Sequence, residues 1–202
     1  RLRCPRPTCA PARRRSRRER HSATDAVRTF SIAKADPTVT VTGNTCTYNG
    51  SPCTGSGSAK GVFGEDLTPM NIAYKDALGS LLTSAPVDAG SYQVAARYAG
   101  DANYNGKQSA AASVTINKAD SLTVVTVVDG ESFTYDGKAH LAKVAVTGAG
   151  GLNLTAAPVY SCGHTPINVS DSGCTASYTY AGDPNHNSSS GFVTYTIAKA
   201  PS

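Results

Sequence analysis

Tryptophan is missing from the 202 residues, methionine occurs once and phenylalanine four times. Any core must therefore be filled by Val, Ile, Leu, Ala and the ten tyrosines, and it will be small. No apolar run reaches the roughly 18 residues that a spanning helix requires, so membrane insertion is not expected. A hydrolytic elbow is missing too, because Gly55-Ser56-Gly57 and Gly79-Ser80 stand in turn-like stretches with no strand-to-helix context. The four histidines, His21, His140, His164 and His186, are scattered, and none recurs at an equivalent place in the repeats described below. Catalytic residues, a metal centre and a cofactor are all excluded from the expectation on these grounds.

Positive charge is plentiful only at one end. Residues 1–20 hold nine of the 19 Lys and Arg with Glu19 as their one acid, and the remaining residues carry a net charge of −3. The overall charge of +5 thus gives no phosphate-binding footprint on the body of the chain, and nucleic acid is not an expected partner. Residues 1–20, with Pro5, Pro7, Pro11 and the run Arg13 to Arg18, read as a disordered tail. No apolar stretch follows the charges as it would in a signal peptide. The repeat register described next is lost before His21, as it would be in an out-of-frame stretch.

What the chain does contain is a phrase written twice. Tyr98-Ala99-Gly100-Asp101-Ala102-Asn103-Tyr104-Asn105 leads to Thr115-Ile116-Asn117-Lys118-Ala119, and Tyr180-Ala181-Gly182-Asp183-Pro184-Asn185-His186-Asn187 leads to Thr196-Ile197-Ala198-Lys199-Ala200. A third ending, Ser31-Ile32-Ala33-Lys34-Ala35, places the three lysines 84 and 81 residues apart. That period is too long for a solenoid and suits a small all-β domain. The expected division is a tail at 1–20, the last strand of a truncated preceding repeat at 21–35, and two units at 36–118 and 119–200. Only Lys118-Ala119-Asp120 links the units, which predicts a semi-rigid rod.

Within each unit, strict alternation as in Thr38-Val39-Thr40-Val41-Thr42 predicts half-buried strands. Further strands are expected near Ser58–Val62, Met70–Tyr74, Ser91–Tyr98 and Ser113–Asn117, and near Lys143–Thr147, Pro158–Cys162, Cys174–Tyr180 and Phe192–Ile197. Tyr48-Asn49-Gly50 and Tyr135-Asp136-Gly137 predict hairpins, since Gly50 and Gly137 tolerate positive φ. The fold class is therefore all-β, two tandem antiparallel β-sandwiches. Tyr98 and Tyr180 are expected to anchor a corner, with rings in the core and hydroxyls on backbone carbonyls. Asp101 and Asp183 are expected to shape the following turn; the loops also offer oxygens at alternate positions, as a hard cation would require, but with one carboxylate each. Lys34, Lys118 and Lys199 recur in phase and raise the idea of a Lys–Asn isopeptide bond, yet they lie at unit boundaries and away from an apolar core.

The Tyr-Asn/Asp-Gly turn, the Asp88-Ala89-Gly90-Ser91-Tyr92 segment, the Tyr-Ala-Gly-Asp-x-Asn phrase and the closing Thr-Ile-x-Lys-Ala resemble the bacterial immunoglobulin-like repeats of the MBG/YDG type. The resemblance covers roughly Ala23 to Ala200 and implies an immunoglobulin-like module, strung in tandem with neighbouring repeats in large secreted or surface proteins and without catalytic residues. The second unit departs from it at Asp171-Ser172-Gly173-Cys174, one residue shorter than the first.

Cysteine links sequence to compartment. Cys46 and Cys53 flank the Asn-Gly turn, and Cys162 and Cys174 lie at the end of one expected strand and the start of another. Both pairs are local, which predicts two disulfides and an extracellular or cell-surface location. Cys4 and Cys9 fall in the tail and are assigned no partner. The functional expectation is a structural spacer; the alternative is an adhesion module that grips a glycan or host protein through loops at one end of a sandwich.

Overall fold

The computed structural model describes residues 28–130 and 132–201. The tail, His21 and the first half of the expected closing strand lie outside them, and residues 28–34 carry no strand. The chain is all-β. Its strands are β1 (Thr38–Thr42), β2 (Asn44–Thr47), β3 (Ser56–Lys60), β4 (Met70–Lys75), β5 (Leu81–Leu82), β6 (Gly90–Tyr98), β7 (Lys107–Gln108) and β8 (Ala112–Asn117), followed by β9 (Ser121–Val127), β10 (Ser132–Thr134), β11 (Ala142–Gly148), β12 (Asn153–Ala156), β13 (Val159–Tyr160), β14 (Thr175–Tyr180), β15 (Ser189–Thr194) and β16 (Thr196–Ala198). Two short 3₁₀ turns, Ala149–Gly151 and Val169–Asp171, are the helical pieces among the described residues.

Period-two patterning places the core. Val94, Ala96 and Tyr98 alternate inward along β6, as Thr123, Val125 and Val127 do along β9. In the first copy of the repeat, the pair β1-β3 lies over the sheet β2-β8-β6-β4-β5, with β7 added against β6. Val39 and Ala59 meet Ala96, Tyr98 and Tyr104 on one side of that core, and Tyr74, Val94, Val114, Ile116 and Cys53 fill the other. The second copy packs β12-β11-β9 against β13-β14-β15, with Val125, Val144, Val146, Ala176, Val193 and Tyr195 between them. Two small sheets facing each other across Val, Ala and Tyr agree with a β-sandwich architecture.

The antiparallel expectation is corrected at one place in each copy. β2 runs parallel to β8, and β10 runs parallel to β16. The opening strand divides: β1 pairs antiparallel with β3, and after Gly43 the chain crosses to the other sheet as β2. Gly43 permits the crossing, because a Cβ there would collide with the backbone of Ser113. The expected hairpins are corrected with it. Gly50 and Gly137 do turn the chain, with φ of 79° and 74°, but the residues that flank each turn pair with other strands.

Without ladder bonds across the turn, a side-chain pair closes it. In the first copy this is the Cys46–Cys53 disulfide, with Cα atoms 6.1 Å apart. In the second, Phe133 and His140 occupy the same two places and stack face to face with centroids 3.6 Å apart. A second disulfide, Cys162–Cys174, ties the segment after β13 to the start of β14. Bonds of this kind persist where thiols are kept oxidised.

Replacing Cys46 and Cys53 together by Ala should lower the stability of the first copy by roughly 2 to 3 kcal/mol, the loop-closure value for so short a ring. Because the Phe133–His140 stack is the counterpart of that bond, Phe133→Cys with His140→Cys should oxidise to an intramolecular disulfide. Thiol titration and peptide mapping of the unreduced variant check this, and free thiols at both positions would show that the turns are not equivalent.

Candidate functional site

The most elaborate polar arrangement in the chain sits where each repeated loop meets the linker that precedes its unit. It grows from one residue. Asp101 Oδ2 accepts the Tyr98 hydroxyl at 2.7 Å, while Oδ1 accepts the backbone N–H groups of Asn103 and Tyr104, both at 2.7 Å. Asp183 does the same with the Tyr180 hydroxyl at 2.8 Å and the N–H groups of Asn185 and His186. The corner tyrosines thus keep their rings in the core, but their hydroxyls reach a carboxylate and not the backbone carbonyls that were expected. A carboxylate is the stronger acceptor, and it stands only three residues away.

This network shifts titration on both sides. The bond to Asp101 pushes the Tyr98 hydroxyl up to about 12, and the same bond, with the two loop N–H donors, holds the Asp101 carboxyl below the usual range. At Asp183, desolvation opposes ionisation, but bonds from Tyr180, His186 and the loop backbone outweigh it and keep the carboxyl well down. Glu65, which accepts the Tyr104 hydroxyl, is lowered chiefly by that bond. With both oxygens of Asp101 and Asp183 engaged inside the loop, these residues act as turn organisers.

The linker is pinned on top. Lys34 Nζ donates to the Asp101 carbonyl and Lys118 Nζ to the Asp183 carbonyl, both at 2.6 Å. Ala35 exchanges backbone bonds with Asn103 and Asn105, and Ala119 does so with Asn185 and Asn187. Asn105 Nδ2 reaches Asp36, and Asn187 Nδ2 reaches Asp120. The recurrent lysines therefore donate hydrogen bonds to loop carbonyls. The same set of contacts, formed twice, explains why Lys-Ala-Asp and Gly-Asp-x-Asn-x-Asn recur together.

At the second loop the arrangement extends to the unit before it. Asn185 Oδ1 accepts the Ala89 N–H at 2.8 Å, and Asn185 Nδ2 donates to Asp88 at 3.0 Å. His186 is buried; Nδ1 faces the Asp183 carboxylate at 2.9 Å, Nε2 faces the Ala149 carbonyl at 2.9 Å, and the ring meets Tyr48 edge-on. The Tyr48 ring lies so close to Gly150, where φ is 64°, that a Cβ there would come within 2.6 Å of it. Tyr48 and Gly50 thus belong to this junction, as do Asp88 and Ala89 of the Asp-Ala-Gly segment. Tyr135 and Gly137, their counterparts, form the equivalent turn at the far end of the second copy, where Tyr135 is exposed.

Sequence reasoning missed Asn185, His186 and Gly150 as junction residues. The signal was present in the pairing of Tyr-x-Gly with Asp-Ala-Gly in one unit, but which loop they would touch depends on the orientation of two units, and no local pattern encodes that. Among the described residues no group of three or more His, Cys, Asp or Glu converges as a metal site would require. The 3₁₀ turn Val169–Asp171 lies where the second copy departs from the first, and Asp171 there accepts the N–H groups of Ile167 and Asn168. The chain matches no protein-family model, no curated protein and no solved structure.

The loop carboxylates set a pH dependence. Because Asp101 and Asp183 have folded-state values below their unfolded ones, their stabilisation is complete above about pH 4 and disappears as pH falls through the folded values. The raised Tyr98 hydroxyl acts oppositely, stabilising fully below about pH 10 and losing the contribution as pH rises through about 12. Denaturation midpoints measured from neutral pH down to pH 2 should therefore fall in the acid limb. Asp101→Asn with Asp183→Asn should start lower and flatten that limb, and a double variant with the wild-type slope would contradict the assignment.

Proposed function

We propose that residues 36–118 and 119–200 are tandem immunoglobulin-like repeats of the MBG/YDG type, and that they serve as a non-catalytic spacer in a large bacterial extracellular or cell-surface protein. One observation carries the reading: the three-residue linker between β8 and β9 is bonded along its whole length to the loop of the unit that follows. A flexible tether would leave those backbone groups to water, whereas a spacer that must hold distance and direction gains from fixing them. The strand order supports the immunoglobulin-like part, since both copies set the closing strand beside the corner-tyrosine strand and split the opening strand between two sheets. Two disulfides support the extracellular part.

The alternative, adhesion to a glycan or host protein through sandwich-end loops, fits less well at loop 183–187, whose polar groups are engaged by the linker and by Asp88 and Ala89. What favours adhesion lies instead on a sheet face of the first unit.

A pinned linker should resist trypsin at the exposed Lys118. In the intact chain, cleavage after Lys118 should be slow and limited by local opening. Asn185→Ala, which removes two bonds worth about 1.4 kcal/mol together, should raise that rate roughly tenfold. Rapid cleavage at Lys118 in the unmodified chain would contradict the spacer reading.

A further inference from the structure

The first unit is slightly acidic, yet three of its cations, Lys75, Arg97 and Lys107, form no ion pair among the described residues, and two of the three share one groove. Lys34 and Lys118 hold linkers and Lys60 pairs with Asp66 at 2.6 Å. Ion pairs among the described residues involve Lys60, Lys138 and three histidines, and neither Lys75 nor Arg97 takes part. Both line an open groove of about 390 Å³ on the outer face of β4 and β6, and no carboxylate lines it. The nearest acid in sequence, Asp76, is occupied by the N–H groups of Leu78 and Ser80.

The register defines the shape. Ala73 lies opposite Ala95 and forms a shallow floor, Asn71 lies opposite Arg97 at one end, and Lys75 lies opposite Gln93 at the other. Four residues of strand separate the ends, about 13 Å, so the two cations stand diagonally across a trough of that length. Small apolar side chains below, amides at each end and one cation per end suit a pyranose chain bearing carboxylates: C–H faces rest on alanine, hydroxyl pairs meet the amides of Asn71 and Gln93, and the acids meet Arg97 and Lys75. The fold does not demand these residues. At the equivalent register the second copy carries Val159 opposite Ser177, flanked by Ser161, Thr175 and Thr179, with no charge.

We infer that this groove is a binding site for an acidic oligosaccharide. The inference deepens the adhesion reading and is independent of the junction, so loss of binding leaves the trypsin result unaffected, and a mobile junction leaves the groove unaffected.

The test is a titration of the full chain, followed by amide NMR at low salt, with trigalacturonic acid, with maltotriose as neutral control and with inorganic phosphate. Trigalacturonic acid should shift resonances of β4 and β6 saturably with a dissociation constant of roughly 1 mM, weakened several-fold by salt because the cations are exposed. Lys75→Ala with Arg97→Ala, two exposed positions whose loss leaves the core intact, should weaken binding at least roughly tenfold while maltotriose shows no saturable shift. No shift in β4 and β6, unchanged binding by the double variant, or equally tight binding of maltotriose would overturn the proposal. Phosphate that shifts the same resonances with equal affinity would overturn the carbohydrate assignment.

Discussion

An aspartate carboxylate three residues beyond a buried tyrosine organises each of the two loops that receive a linker. Asp101 and Asp183 receive the tyrosine hydroxyl from the core and two N–H groups from the loop, while the carbonyl of the same residue receives the lysine of the linker. One residue thereby couples core, loop and connection. Were the carboxylate lost, a buried hydroxyl and two loop donors would be unsatisfied together, and the platform on which Lys118 and Ala119 lie would relax. This explains how a chain without tryptophan, with small cores of Val, Ala and Tyr, can still present an ordered junction.

Much of the fold was legible. Alternation located β1, β3, β4, β6, β8, β11 and β14 within a residue or two, and the local spacing of the cysteines anticipated both bonds. The strand crossing at Gly43 was not legible, because Thr38 to Thr47 reads as continuous extended chain and only the approach of Ser113 shows why glycine stands there. The Asn-Gly pair signals a hairpin that does not form for the same reason: a turn type is local, but the partners of its flanks are not. Of the junction, the corner tyrosines and aspartates were visible as repeated residues. Their hydroxyl acceptor is local, three residues on in the same loop, whereas the clamp of Asn185 on Asp88 and the pocket that Gly150 makes for Tyr48 depend on distances between the copies that no sequence window contains.

Divergence between the two copies is as informative as their agreement. A disulfide in one and a Phe133–His140 stack in the other close the same turn, so the constraint is on closing it and not on the chemistry used. Tyr104 and His186 stand at equivalent loop positions, yet the first bonds Glu65 within its own unit while the second meets Tyr48 of the neighbouring one. The paired cations on the outer face of β4 and β6 appear in one copy alone.

The loop carboxylate and the linker it supports fix one copy of the repeat on the other. Residual dipolar couplings in a weakly aligned sample test it most directly, because each unit reports its own alignment tensor. Couplings from residues 36–118 and 119–200 should fit a single tensor of one magnitude and orientation, and Gly150→Ala, which displaces the Tyr48 ring, should begin to separate the two. Two tensors of clearly different magnitude in the unmodified chain would mean that the units tumble independently and that the junction does not hold them.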